Sequence, residues 1–390
     1  MTTGAGELLQ LFREGGPLTR ADLVADTGLS RTTVGLRLDA LLASGVVGAA
    51  GDAGSSGGRP PSRFAFRPDA RLILGVDLGA THHTMAVTDL SGRILASSRH
   101  HRPIADGPEP VLAEIATTAM TLLHDIGRGA SELAAVGIGL PGPVEFASGR
   151  AVQPPIMPGW DGFDVRGWSM SVFGAHTLVD NDVNLSAVGE RALAYPQVED
   201  LIYVKAATGI GAGIVSGGHL QRGAQGTAGD IGHLRIARGD GIRCVCGNEG
   251  CLEALAGANA LLQARPGFAS AAELVAAAAR GETEARAALD QAGRDIGEAL
   301  AACVVLMNPS VIVVGGSLAA AGPALLDGLE QTVRRRALPL AGSALTIAVS
   351  LAGGDAALLG AITAARETVL SPEGVEAILL ADTATRVATG

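Results

Sequence analysis

Four side chains of this sequence have the types and spacing of a metal centre. His233 precedes Cys244-Val245-Cys246 by eleven residues, and Cys251 follows after a short glycine-bounded stretch, Gly247-Asn248-Glu249-Gly250. One imidazole and three thiols form a closed ligand set for a tetrahedral structural Zn²⁺. The two glycines permit the tight turn that returns Cys251 toward Cys244 and Cys246. The alternatives are three reduced thiols in a loop, or a disulfide, which needs an oxidising compartment. Asp230 and Glu253 flank this knot, which can hold both beside one cavity.

A second group lies in Thr177-Leu178-Val179-Asp180-Asn181-Asp182-Val183-Asn184. Here a strand ends and a helix begins, continuing through Leu185, Val188 and Leu193. Asp182 falls near the helix N-terminus, where the macrodipole keeps a carboxylate ionised. Such a carboxylate at a pocket rim can accept the proton of an attacking hydroxyl. It can equally cap the helix and do no chemistry.

Glycine turns supply a third kind of chemistry. The strand Arg71–Val76 runs into Asp77-Leu78-Gly79-Ala80-Thr81 and returns through Met85–Asp89. Backbone N–H groups at such a tip can cradle a phosphate, and Asp77 and Thr81 lie where hydrated Mg²⁺ would be held. A matching strand, turn and strand recurs at Leu201–Ser216 around Thr208-Gly209-Ile210-Gly211. Gly315-Gly316 after Val311–Val314 forms a third turn, where an adenine or ribose can lie. Two similar hairpins predict two similar lobes facing across a cleft. Each turn alone can simply close a hairpin. The adjacent His82 and His83 point to opposite faces of a strand and are not read as ligands.

The elements that carry these residues change character near residue 70. Residues 5–47 read as three short helices. Leu8, Leu9 and Phe12 mark the first. Thr19 with Asp22 opens the second as a capping box, and Gly28 ends it. Ser30 caps the third, whose Val34, Leu38, Leu41 and Leu42 recur at helical spacing up to Gly45. Val46-Val47 and Phe64–Phe66 can pair across a Gly/Ser-rich loop. This is the pattern of a winged helix–turn–helix, with Ser30, Arg31, Thr32, Thr33 and Arg37 placed to meet a DNA major groove. A three-helix protein-interaction module is the other reading. Arg59, between Gly58 and Pro60, fits either a minor-groove contact or a rigid linker.

Composition bounds the rest. With 47% hydrophobic and 17% charged residues, the chain is globular. No signal peptide and no run of about 18 apolar residues is present, so a cytoplasmic protein without a membrane span is expected. Residues 1–67 carry seven arginines and six acids, a net +1. The remaining 22 basic and 33 acidic residues give −11, so only the head suits an anionic polymer. Arg334-Arg335-Arg336 reads as a solvated helix end, and Cys303 as core.

Taken together, Asp77-Leu78-Gly79-Ala80-Thr81, Gly139-Leu140-Pro141-Gly142, Asn181–Asn184, Thr208–Gly213, Gly229–His233 and the cysteine knot resemble the ROK (repressor, open reading frame, kinase) family. The resemblance covers about residues 71–370, and the head resembles that of the family's regulators. It implies an α/β fold: a two-lobed hexokinase/actin-like (ribonuclease H-like) body behind a winged helix–turn–helix. The expected division is 1–67, 68–182 and 183–390. It further implies that Gly142, Asn181, Asp182, Asp230, His233 and Glu253 bind a sugar. Asp230 stands where the family has a glutamate, one methylene longer. Two functions follow. One is a sugar- or sugar-phosphate-responsive regulator, a dimer or tetramer on a palindromic duplex operator, with Zn²⁺. The other is an ATP/Mg²⁺-dependent sugar kinase with Asp182 as base. Family repressors commonly lose the nucleotide motifs and kinases lack the head, whereas this chain has both, so the regulator is preferred.

Overall fold

The computed structural model describes residues 4–52 and 61–389. Its head holds α1 (Ala5–Gly15), β1 (Leu18–Thr19), α2 (Arg20–Thr27), α3 (Arg31–Ser44), β2 (Val47–Asp52) and β3 (Ser62–Phe66). α2 and α3 each start where a cap dictates. The Thr19 hydroxyl accepts the Asp22 N–H at 3.2 Å, and the Asp22 carboxylate accepts the Thr19 N–H at 2.8 Å. Ser30 accepts the Thr33 N–H at 3.1 Å. Leu8, Leu9, Phe12, Leu23, Val34, Leu38 and Leu41 close one core. β2 and β3 pair antiparallel, Val47 opposite Phe66. The two-residue β1 joins β3 as a third strand that no sequence period marks.

The body begins with β4 (Leu72–Leu78), β5 (His82–Asp89), β6 (Ile94–His101), α4 (Pro108–Asp125), β7 (Leu133–Leu140), the short pair β8 (Val144–Glu145) and β9 (Arg150–Ala151), α5 (Val165–Phe173) and β10 (His176–Asn181). The sheet order is β10-β7-β4-β5-β6. Every residue of β4 is buried, as expected of a strand covered on both faces. α6 (Asp182–Ala194) leads to the second lobe, with β11 (Leu201–Ala206), β12 (Ile210–Ser216) and β13 (His219–Gln221). Then come α7 (Glu253–Ala256), α8 (Ala258–Gln263), α9 (Ala271–Ala279), α10 (Thr283–Met307), β14 (Val311–Gly315), α11 (Pro323–Arg336), α12 (Pro339–Ala344) and β15 (Thr346–Val349). Here the order is β13-β12-β11-β14-β15. Numbered within each lobe, both sheets run 3-2-1-4-5. The two lobes therefore share one ribonuclease H-like topology, as the paired hairpins suggested. The arginines at the end of α11 are partly neutralised by Glu330 and Glu298, as a solvated helix end should be.

The last helices, α13 (Ala356–Leu370) and α14 (Pro372–Thr389), leave the second sheet. By sequence order they fall in 183–390, but α13 lies across β4 and β7 of the first sheet, and α14 lies against α1. The reason is steric. A Cβ on Gly137 would strike the Ala361 carbonyl, and one on Gly75 would meet Ile362, so both glycines let α13 settle onto the sheet. The head is thereby fixed to the end of the chain. Glu376 accepts the N–H groups of Gly4, Ala5 and Gly6 at 2.8, 2.7 and 3.2 Å, capping α1 from another element. Arg13 pairs with Glu367 at 2.8 Å. Among the described residues, no helix is long and apolar enough to cross a membrane.

Replacing Glu376 with Ala is expected to cost about 1–2 kcal/mol of stability and to loosen the first turn of α1. Urea unfolding with amide exchange at residues 4–6 checks this. Unchanged protection there would show that the cap does not hold the head.

Candidate functional site

A cavity of about 480 Å³ opens between the lobes. It brings together Gly142, Asn181, Asp182, Thr208, Gly209, Gly211, Asp230, His233 and Glu253. Every family-implied sugar position thus lines one space. Asn181, not Asp182, is the N-cap of α6. Its Oδ1 accepts the N–H groups of Val183 at 2.8 Å and Asn184 at 3.2 Å, and its Nδ2 donates to the Gly142 carbonyl at 2.8 Å. These bonds hold the Gly142 backbone at the rim. They also leave Asp182 free of capping duty. Glu253 accepts the Ile210 N–H at 3.0 Å through one oxygen. Asp230 is half exposed, its Oδ1 4.0 Å from His233 Nε2.

The Asp182 carboxylate is engaged. It is 3% exposed and accepts from Lys205 Nζ at 2.6 Å. Burial alone would depress the Lys205 ammonium, but Asp182 and Asp77 outweigh it and raise its pKa. Lys205 was not singled out from the sequence as a site residue. The available signal was the chain's one lysine standing in the strand before a glycine turn. Asp180 was missed too. It is buried, bonded to Asn184 Nδ2 at 3.0 Å and to Arg222 Nε at 2.7 Å, so it braces the helix start.

Beneath the cavity floor lies Asp77, buried at 7% exposure. Burial, then the nearby Asp182, push its carboxyl from 3.8 up to about 7. Asp77, Gly79 and Thr81 do not themselves line the cavity, although Ala80 does. The tip is a tight turn closed by the Gly79 N–H on the His82 carbonyl at 2.7 Å. Gly315 and Gly316 also stand apart. A Cβ on Gly315 would collide with the Tyr203 hydroxyl, and one on Gly316 with the Ala206 carbonyl. Their smallness therefore serves packing.

His233 and Cys244 line the cavity, and together with Cys246 and Cys251 they place one ligand atom each within 4.8 Å of one another. His233 Nδ1 lies 3.7 Å from Cys244 Sγ, and Cys246 Sγ lies 3.6 Å from Cys251 Sγ. A disulfide bond is about 2.05 Å long. The edges of a zinc tetrahedron, with bonds of about 2.0–2.3 Å, are about 3.5–3.8 Å. The group fits a metal ion. Its histidine turns Nδ1 to the thiols and Nε2 to Asp230. Burial pushes the Cys251 thiol up to about 12, while the Asn248 N–H helps bring Cys246 down to about 7. A bound cation would favour the thiolate form of all three.

In the head, Ser30, Arg31 and Thr32 are exposed at the start of α3. The Ser30 and Thr33 hydroxyls bond each other at 2.9 Å. Arg37 differs from expectation. Its side chain is 18% exposed and bends back to Glu7 at 3.5 Å, tying α3 to α1 instead of reaching outward. Arg59 lies outside the described residues.

The sequence pattern of the ROK family matches residues 73–368. The chain belongs to the ROK family. It is 29% identical to the xylose repressor of Bacillus spizizenii over 360 residues, covering 90% of this chain and 92% of that protein. A solved ROK family transcriptional regulator, a homologue of the E. coli MLC protein, superposes with a TM-score of 0.81 at 25% identity, over 97% of this chain and 98% of the other. The ROK hexokinase of Thermus thermophilus gives a TM-score of 0.65 at 32% identity, over 76% and 99%. The regulator match spans head and body together. The hexokinase match is shorter on this chain, by about the length of the head.

The Asp77 shift has a definite sign. Its folded pKa lies above its unfolded value, so its protonated form favours folding, and stability falls as pH rises from about 4 to about 7. Asp77→Asn is expected to be more stable than the parent at pH 8, by at most about 4 kcal/mol. The difference should vanish near pH 4. Urea titrations at both pH values measure it, and a pH-independent difference would refute the assignment.

Proposed function

We propose that this ROK protein is a sugar-responsive, DNA-binding transcriptional repressor of carbohydrate metabolism. One observation carries the reading: a single chain joins a capped helix–turn–helix head to a body whose interlobe cavity gathers Asn181, Asp182, Asp230, His233 and Glu253, and α14 packs the head against α13 of that body. Xylose is the first effector to test, because relatives covered over nine-tenths of their length are xylose repressors. The sugar hydroxyls meet Asn181, Asp182, Asp230, His233, Glu253 and the Gly142 backbone. Zn²⁺ on His233, Cys244, Cys246 and Cys251 fixes the imidazole that faces the sugar. Arg31 and Thr32 at the start of α3 read base edges, with Thr33 and Ser30 holding the helix start. Arg59 keeps its two readings, minor-groove contact or linker. The expected partner is a palindromic duplex met by a homodimer or larger symmetric assembly, since one head covers a half-site. The division 1–67, 68–182 and 183–390 is kept as a division by function.

A kinase reading rests on the hexokinase likeness and on the two glycine turns. Lys205 engages one oxygen of Asp182 and leaves the other to a sugar hydroxyl in either reading; against the kinase stands the head, which the hexokinase match does not span. Sugar-dependent ADP release by the purified protein separates the two.

The deciding experiment selects duplexes from a random pool and then measures operator affinity across a panel of sugars and sugar phosphates. At least one sugar is expected to change affinity by about 5–150-fold, a usual range for such coupling. Asp182→Asn should blunt that response and leave sugar-free DNA binding near the parent's. If no sugar moves operator affinity in the parent, the sensor reading fails.

Cys246→Ser is expected to lower both zinc content and sugar affinity, by about 10-fold or more in sugar Kd, because His233 loses its anchor. Metal analysis alongside calorimetry reads both. Metal-free protein with full sugar affinity would end the zinc assignment.

A further inference from the structure

Away from the cysteine knot, on the outer side of the first lobe, three metal-binding side chains meet. His83 is the second residue of β5, and His100 lies directly opposite it in register on β6. Glu114, on α4, covers the same face. The imidazoles stack with centroids 5.3 Å apart and planes 12° from parallel. Both address one carboxylate oxygen: His83 Nε2 is 3.9 Å and His100 Nδ1 is 3.6 Å from Glu114 Oε1. The other oxygen, Oε2, accepts from Arg102 Nε at 2.6 Å, and Arg102 Nη1 donates to Asp106 at 3.1 Å. The two oxygens have divided their work.

We propose that His83, His100 and Glu114 bind a second divalent transition-metal ion of the zinc class, separate from the one at the cysteine knot.

Three observations carry this. The first is an unsatisfied buried group. His83 is 1% exposed, and among the described residues neither ring nitrogen has a hydrogen-bond partner. Buried polar groups are almost always satisfied, and a metal bond to Nε2 would satisfy one nitrogen. The second is fit. Nitrogen and oxygen ligands about 2.0–2.2 Å from zinc are separated by about 3.3–3.5 Å along a tetrahedral edge. The two gaps to Glu114 Oε1 close with shifts of a few tenths of an ångström. The three ligand atoms all lie within 4.8 Å of one another. The third is charge and support. Two neutral imidazoles and one carboxylate suit zinc, and Arg102 on Oε2 holds Oε1 toward the rings, as outer partners of metal-bound carboxylates do. Burial lowers the His83 pKa despite Glu114.

Three protein ligands leave a fourth position, and His100, 43% exposed, places it within reach of water. The ion would clamp the β4–β5 tip, just before His83, to β6 and α4. His82 and His83, adjacent on one strand, point to opposite faces and do not share an ion; pairing across strands supplies the second histidine, and a helix supplies the carboxylate.

The test counts metal on tag-free, full-length protein stripped with chelator and dialysed against Zn²⁺ at a buffered micromolar free concentration. The parent should hold one more equivalent than His100→Ala or Glu114→Gln, while Cys246→Ser should keep this equivalent. Loading with Co²⁺ adds an independent readout. The equivalent lost in His100→Ala should show ligand-field bands without thiolate-to-cobalt charge transfer. His100 is half exposed, so its variant should fold, and an unchanged Tm in chelator confirms it. Equal metal content in parent, His100→Ala and Glu114→Gln overturns the proposal. So does an extra equivalent that carries thiolate bands.

Discussion

The crossing of α6 over α13 is the contact on which the rest of the molecule depends. A Cβ on Gly189 would strike the Ala356 carbonyl, and one on Gly360 would strike the Leu185 carbonyl. Backbone therefore packs on backbone, at a separation that larger residues forbid. Glu190, beside this crossing and fully buried, accepts from Ser350 Oγ at 2.6 Å and from the N–H groups of Leu351 and Ala352 at 2.8 and 3.1 Å. A buried charge needs such partners, and here they fix the loop that delivers α13. Both lobes meet at this crossing. α6 packs on β11 and β12, and α13 on β4 and β7.

The same crossing links the cavity to the head. Asn181 and Asp182 stand at the start of α6, α13 continues into α14, and α14 caps and covers α1. A packed series of rigid elements thus runs from pocket to head. The head is tied to the body by the segment between β3 and β4 and again by α14 on α1, so its orientation follows the body more closely than a single linker would allow.

Charge is arranged economically around the cavity. Asp77 and Asp182 are buried beside Lys205, which opens onto the cavity, so one cation serves two carboxylates, and the excess is relieved by a proton on Asp77 near neutral pH. Asp180 is balanced separately by Arg222, whose guanidinium also lies 3.8 Å from the Phe146 ring centroid. The carboxylates that would contact a sugar at the opposite wall, Asp230 and Glu253, carry no such counter-charge among the described contacts except His233. The two walls differ in kind: one is internally paired, the other is open to a ligand.

The sequence by itself determined the local elements and the family. Thr19 with Asp22, Ser30 and the helical spacing of Val34, Leu38 and Leu41 specify the head, because capping and amphipathic periodicity act within a few residues. The glycine hairpins and the cysteine knot were legible for the same reason: their chemistry is contained in short segments. Tertiary structure decided which side chains share a space. Lys205 on Asp182, Glu376 on α1, Arg37 turned back to Glu7, and His83 with His100 and Glu114 all join residues from separate elements. Such pairs leave no period or spacing in the chain, since they are set by how sheets and helices pack, and only packing decides which buried charge or imidazole finds a partner.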